Sequence, residues 1–186
     1  TSCAMRNFID TINTCRGRYI ALLDGDDYWT DRHKLQKQVD FLEKNPEFSI
    51  CYHNVKKVDE SDRGEVLMHD SDPKVGDIKE LLKHNPLFPA SLLLRRPEGF
   101  QLPKSIYKSP IGDWVLTILI ACHGKIKYLS DTMAVYRVHS GGIWSEMDKA
   151  AQNLRIAKMF KILLAETPVR IHRSMKGTIA CQCALA

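Results

Sequence analysis

The sequence predicts an α/β fold: a mixed, mostly parallel sheet flanked by helices. Two observations predict it. Tyr19 to Leu23 is a short apolar run bounded by Gly17 and by the acidic stretch Asp24-Gly25-Asp26-Asp27, the mark of a buried strand that runs into a loop. Downstream, strand-like runs at 48–55, 89–95 and 126–138 are separated by segments with helical spacing and helix-stop signals.

The elements follow in order. Met5, Phe8, Ile12 and Cys15 fall at near-helical spacing, and Gly17 ends that helix. After the acidic loop, Thr30 and Asp31 can cap a second helix that Asn45-Pro46 ends. Its expected apolar face is Leu35, Val39 and Leu42. Phe48 to Val55 reads as a strand. Lys56 to Lys74 is a polar excursion with one apolar patch, Val66 to Met68, expected to form a hairpin or a mobile loop. Asp77 and Glu80 form a capping-box-like pair ahead of a short helix, Ile78 to His84. Pro89 to Arg95 is expected as a strand and the proline-rich 97–110 as a loop. Val115 to Ala121 continues a helix that Asp113 starts. Ile126 to Val138 carries a strand or a strand pair. Ser145 and Asp148 open a last helix to about Glu166, with Ala150, Leu154, Ala157 and Leu164 on one face and Ile156, Phe160 and Leu163 widening it.

Composition narrows the class. At 186 residues a single domain with a real core is the prior. A net charge of +5 suits anionic ligands or an anionic membrane surface, but no basic run is dense enough to argue for nucleic acid. Six cysteines lack metal-ligand spacing, so they read as reduced thiols in a cytosolic protein. No apolar run approaches the roughly 20 residues that a membrane-spanning helix needs.

The acidic loop is where chemistry is expected. Asp24, Asp26 and Asp27 repel one another at the end of a buried strand, where ligands of open α/β sheets bind. A divalent cation relieves that repulsion, and carboxylate oxygens suit Mg²⁺ or Mn²⁺. A solvated Asp-Gly turn is the plainer alternative. An EF-hand fails, because Tyr28 stands where a ligand is required.

Ala4, Arg6 and Asn7, followed by Gly17, Tyr19, Ile20, Leu23, Asp24, Asp26, Asp27 and Trp29, resemble the middle of a family 2 glycosyltransferase domain of the GT-A type. The resemblance continues through Asp113-Trp114, through Gly124-Lys125-Ile126, and through Tyr136-Arg137-Val138-His139. It implies an inverting transfer of a sugar from a nucleotide-diphospho-sugar to a hydroxyl, in polysaccharide or glycoconjugate synthesis. Asp24 and Asp26 would then hold Mn²⁺ or Mg²⁺ against the diphosphate, with Asp27 beside them. Arg6 and Asn7 would brace the donor loop. Asp113 would be the base that deprotonates the acceptor, and Trp114 would lie on the acceptor side. Arg137 or His139 would touch the diphosphate or the metal. Gly112 departs from the pattern, which commonly has Glu there.

The expected organisation is a partial GT-A domain over 1–143, a helix over 144–167 packed on it, and a loosely ordered tail over 168–186. The resemblance also implies nucleotide-binding strands ahead of this sequence. Without them Tyr19 to Leu23 is expected to be a sheet edge, through which the chain self-associates or borrows another segment. The acceptor is expected to be a sugar or a lipid-linked sugar. Location is expected to be cytoplasmic, with peripheral membrane contact through Lys149, Arg155, Lys158 and Lys161 as an option. Two other readings stay open: a sugar-phosphate nucleotidyltransferase, and a non-catalytic remnant that binds a partner or a sugar.

Overall fold

Alternation along two strands decides the architecture. In strand β3 (Phe48–Asp59) Ile50 and Tyr52 face one apolar cluster and Cys51 faces another. In strand β5 (Leu93–Arg95) Leu94 belongs to the first cluster and Leu93 to the second. Successive side chains of a strand point to opposite faces, so this sheet is covered on both. The computed structural model describes residues 3–59, 64–69, 75–142, 144 and 147–184. Ser145, where a helix start was expected, lies outside them.

The remaining strands are β1 (Tyr19–Ala21), β2 (Tyr28–Trp29), β4 (Glu65–Leu67) and β6 (Lys125–Val138). The spatial order is β1-β5-β3-β6-β2, with β4 paired to β3 as the hairpin expected from the polar excursion. The sheet is mixed. Its longest ladder, β3 with β6, is parallel, and the four shorter pairings are antiparallel. The parallel ladder changes register around Asn54. The Asn54 side chain fills that irregularity: its Oδ1 accepts from Val55 N and His69 N, and its Nδ2 donates to His69 O. Among the described residues β1 pairs only with β5, so it is an edge.

Helices cover the faces. On one side lie α1 (Cys3–Thr14), α4 (Asp113–Ala121), α5 (Lys149–Leu163) and α6 (His172–Ala184), with Ile9, Leu116, Phe160 and Met175 in the common core. Helix α4 is buried all round from Trp114 to Ala121, which is why it reads as a continuous apolar run and not as a stripe. On the other side lies α2 (Lys34–Lys44). The short α3 (Ile78–Leu81) is capped by Asp77, whose carboxylate accepts from Lys79 N and Glu80 N, while Glu80 reaches back to Gly76 N.

Four expectations are corrected. The buried stripe of α2 is Lys34, Gln38 and Leu42, and Leu35 is exposed. The polar members are buried because they have work in the interior: Gln38 Nε2 donates to Cys51 O at 3.0 Å and Ser91 O at 2.8 Å. Pro89 to Ser91 forms a 3-10 turn, so the strand starts only at Leu93. On α5 the expected Ile156, Ala157, Phe160 and Leu163 are buried, joined by Asn153, but the expected Leu154 is 57% exposed. The segment after Pro168 is a 3-10 turn and then α6, not a loose tail. Ile171 and Met175 are buried, and Thr178 donates to Leu82 O.

Phe160 is fully buried and meets Trp114 edge-on at 5.4 Å. Phe160→Ala is expected to lower unfolding free energy in urea by about 3–5 kcal/mol. Leu154→Ala is expected to stay within about 0.5 kcal/mol of wild type. Comparable losses in the two variants would mean that α5 packs on a different face.

Candidate functional site

Strand β1 buries Ile20, Leu22 follows it into the core, and the chain then turns at Asp24 to Asp27. The turn closes by a bond from Asp27 N to Asp24 O of 3.2 Å. What fixes it is the end of β6. Strand β2 pairs with β6 through Tyr28–Val135 and Trp29–Ala134, and Thr30 N donates to Met133 O. Three more contacts come from the segment just beyond. Arg137 N donates to Asp27 Oδ1 at 3.0 Å, Arg137 Nε donates to Asp26 O, and His139 Nε2 lies 3.0 Å from Asp26 Oδ2. Asp24, Asp26, Asp27, Arg137 and His139, all anticipated from sequence, therefore meet in one place.

The carboxylates sit in an unfavourable field. Asp27 is 8% exposed, and burial pushes its carboxyl up to about 6, with the charges of Asp26 and Asp24 adding to the rise. Its Oδ2 has no hydrogen-bond partner among the described residues. Burial also raises Asp24, and Asp26 raises it further. An unsatisfied buried carboxylate oxygen is costly unless something positive meets it.

Asp113 opens α4 on the same side. Burial pushes its carboxyl up to about 6, and the nearby charge of Asp24 adds to that. Tyr136 ties the group together. Burial raises its phenol, and so do the carboxylates of Asp27, Asp26, Asp24 and Asp113, all of which it feels. Its ring packs on Phe88 at 5.1 Å. Tyr136 stands within the Tyr136-Arg137-Val138-His139 motif, where no local pattern marks it for a role. Lys34 was missed outright. Its ammonium lies 4.4 Å over the Trp29 ring, whose Nε1 donates to Ala90 O, and burial pushes it down to about 8. The pair anchors the residue two positions past the acidic turn.

Three expected residues stand elsewhere. Trp114 is buried in the core with its ring edge-on to Phe160. Arg6 and Asn7 lie on the exposed face of α1, and among the described residues no hydrogen bond joins either to the acidic loop. The turn at Gly112 has a structural reason for lacking a side chain. A Cβ there would come within 2.8 Å of the Phe8 ring.

Among the described residues no three His, Cys, Asp or Glu side chains form a ready-made metal cage. The donor set still fits a hard divalent cation. Asp24 and Asp26 repel each other, and Asp27 keeps an unpaired buried oxygen. Mg²⁺ is usually held by one or two carboxylates plus substrate phosphates, not by a full protein cage.

The pattern of the family described as Glycosyl transferase family 2 matches residues 5–100. A protein of Mycobacterium tuberculosis, named only as uncharacterized, is 39% identical over 145 residues, covering 74% of this chain and 40% of its own length. A Mycobacterium bovis protein with the same kind of name matches to the same extent. The chain thus spans well under half the length of these curated relatives. No helix among the described residues is long and apolar enough to cross a membrane.

The Phe8–Gly112 contact gives a test of how the start of α4 is placed. Gly112→Ala is expected to cost about 1–3 kcal/mol in the wild-type background. The cost should be much smaller in a Phe8→Ala background, where the ring is gone. Equal costs in a double-mutant cycle would separate α1 from the site.

Proposed function

The chain belongs to glycosyl transferase family 2, and from that premise we propose that it carries the donor-phosphate and base elements of an inverting sugar transfer. The donor would be a nucleotide-diphospho-sugar and the acceptor a hydroxyl of a sugar or lipid-linked sugar. The observation that supports this best is the electrostatic neighbourhood of Asp24 and Asp113. It unites an acidic loop suited to a cation with a separate carboxyl suited to take a proton.

The roles follow from the residue types. Asp24 and Asp26 would hold Mg²⁺ or Mn²⁺, which neutralises the charge that develops on the departing diphosphate. Arg137 holds the Asp26 backbone in place and adds positive charge beside the loop. Asp113 takes the acceptor proton as the new bond forms. Direct displacement needs no covalent sugar intermediate. Asp27 serves the loop as a brace, through its bond from Arg137 N.

Two wider contacts belong to the same reading. The outer edge of β1 is a template for a further strand, from a second copy or from another segment. Leu154, Lys158 and Lys161 form one exposed stripe on α5, which supports peripheral contact with an anionic membrane surface.

Asp113→Asn is expected to keep donor binding and to lose transfer by about 10²-fold or more, because an amide cannot accept the proton. In wild type the rate should rise with pH through about 6 and then level off, since the base works only when ionised and its folded value lies there. Near-normal turnover in the variant would reduce Asp113 to an acid that favours a helix start. Asp26→Ala should weaken Mn²⁺ binding in calorimetry. Equal affinity in both proteins would remove Asp26 as a ligand.

A further inference from the structure

Charge is divided unevenly along the chain. Residues 149–186 hold seven of its 27 Lys and Arg and one of its 22 Asp and Glu, a net charge of +6. The 148 residues before them hold 20 basic against 21 acidic side chains, a net charge of −1. The positive excess therefore lies on α5, α6 and the turn that joins them. Six of the seven cations are exposed: Lys149, Lys158, Lys161, Arg170, Arg173 and Lys176. None of the six forms an ion pair with a described residue, unlike Arg18, Lys37 and Lys56 elsewhere. The one acid, Glu166, is half-buried and accepts from Ser105 Oγ at 2.5 Å.

The joint presents an apolar point among these charges. Lys161 lies in the last turn of α5 and Arg173 in the first turn of α6, with Pro168, Val169 and Arg170 between them. Val169 is 80% exposed, while Ile171 is buried. The turn is held in that orientation. Thr167 Oγ1 donates to Leu163 O at 2.7 Å, and Ile171 N donates to Pro168 O at 3.1 Å. Arg170 Nη2 donates to Cys122 O at 3.1 Å, at the far end of α4 from Asp113. Long basic side chains around a projecting aliphatic residue match the headgroup layer of an anionic bilayer, where the charges meet phosphates and the valine meets acyl chains. A protein partner would want aromatic anchors. The one aromatic residue of this helix pair, Phe160, is in the core.

We propose that the α5–α6 joint is a docking tip for an anionic bilayer, with Val169 entering the interface and Lys161, Arg170 and Arg173 meeting lipid phosphates. This deepens the membrane contact within the sugar-transfer reading, since the exposed stripe of α5 leads up to the tip. The rigid α4, about 14 Å long, then sets the distance between the docked tip and Asp113.

Flotation of the full chain with vesicles of phosphatidylcholine, and of phosphatidylcholine mixed with phosphatidylglycerol, tests this. Binding is expected to the mixed vesicles only, and it should fall as salt rises. Each basic residue at such a surface is worth about fivefold in affinity, so the double variant Lys161→Gln, Arg173→Gln should bind about 25-fold more weakly. Val169→Ser should weaken binding as well, with an unchanged circular dichroism spectrum. The control Lys44→Gln, Lys79→Gln removes the same charge elsewhere and should bind like wild type. Equal loss in the control, full binding by either tip variant, or equal binding to both vesicle types would overturn the proposal. Retention by soluble polyglutamate without vesicle binding would assign the charges to an acidic protein and overturn it too. Asp113→Asn should float like wild type, so a failure of the transfer reading and a failure of docking are read separately.

Discussion

The grip of β6 on the acidic loop is the constraint on which the site depends. Three carboxylates in four residues repel one another, and a free loop would splay them into water. Here β2 is a two-residue strand pinned to Ala134 and Val135, and Arg137 and His139 then close on Asp26 and Asp27. The strand that supplies these contacts is itself fixed along the parallel ladder with β3, from Lys125 to Val138. The longest ladder in the sheet therefore sets where the loop can be.

The second consequence is electrical. Packing around the loop leaves one Asp27 oxygen without a hydrogen-bond partner among the described residues and raises Asp24, Asp27 and Asp113 together. Such strain is common where a ligand completes the structure. Tyr136 is well placed to register it, since its phenol responds to all four carboxylates. Lys34 stands on the other side of Trp29, buried against its ring, with no hydrogen-bond partner for its ammonium among the described residues.

Much of this was legible in the sequence. The capping pair at Asp77 and Glu80 and the acid at the start of α4 each have a local cause, and each stands where it was read, whereas the apolar run into Asp24 is a strand only over Tyr19–Ala21 and leaves Leu23 exposed. Other features depend on contacts that local pattern does not encode. Lys34–Gln38–Leu42 and Leu35–Val39–Leu42 are both helical stripes, and only the interior carbonyls of Cys51 and Ser91 decide for the first. Leu154 faces solvent because α5 is rotated toward Asn153 and Ile156. Helix α6 shows no clear apolar stripe, and it is held by Met175 in the core, by Ile179 packed against it and by the Thr178–Leu82 bond, with Ile171 buried in the turn just before it. Trp114 packs on Phe160 while its neighbour Asp113 feels the Asp24 charge, since adjacent residues on a helix point in different directions. The absent side chain at Gly112 made sense only once the Phe8 ring was seen beside it.

A single transfer site requires Asp24 and Asp113 to share one neighbourhood. Carboxyl-¹³C titration of Asp113, in wild type and in Asp24→Asn, measures that directly. With both charges present the Asp113 midpoint should lie near 6. Removing the Asp24 charge should lower it partway toward the ordinary carboxylate range, since burial supplies the larger part of the rise and Asp24 the rest. A midpoint that does not move would put the two carboxylates in separate surroundings and contradict a single transfer site.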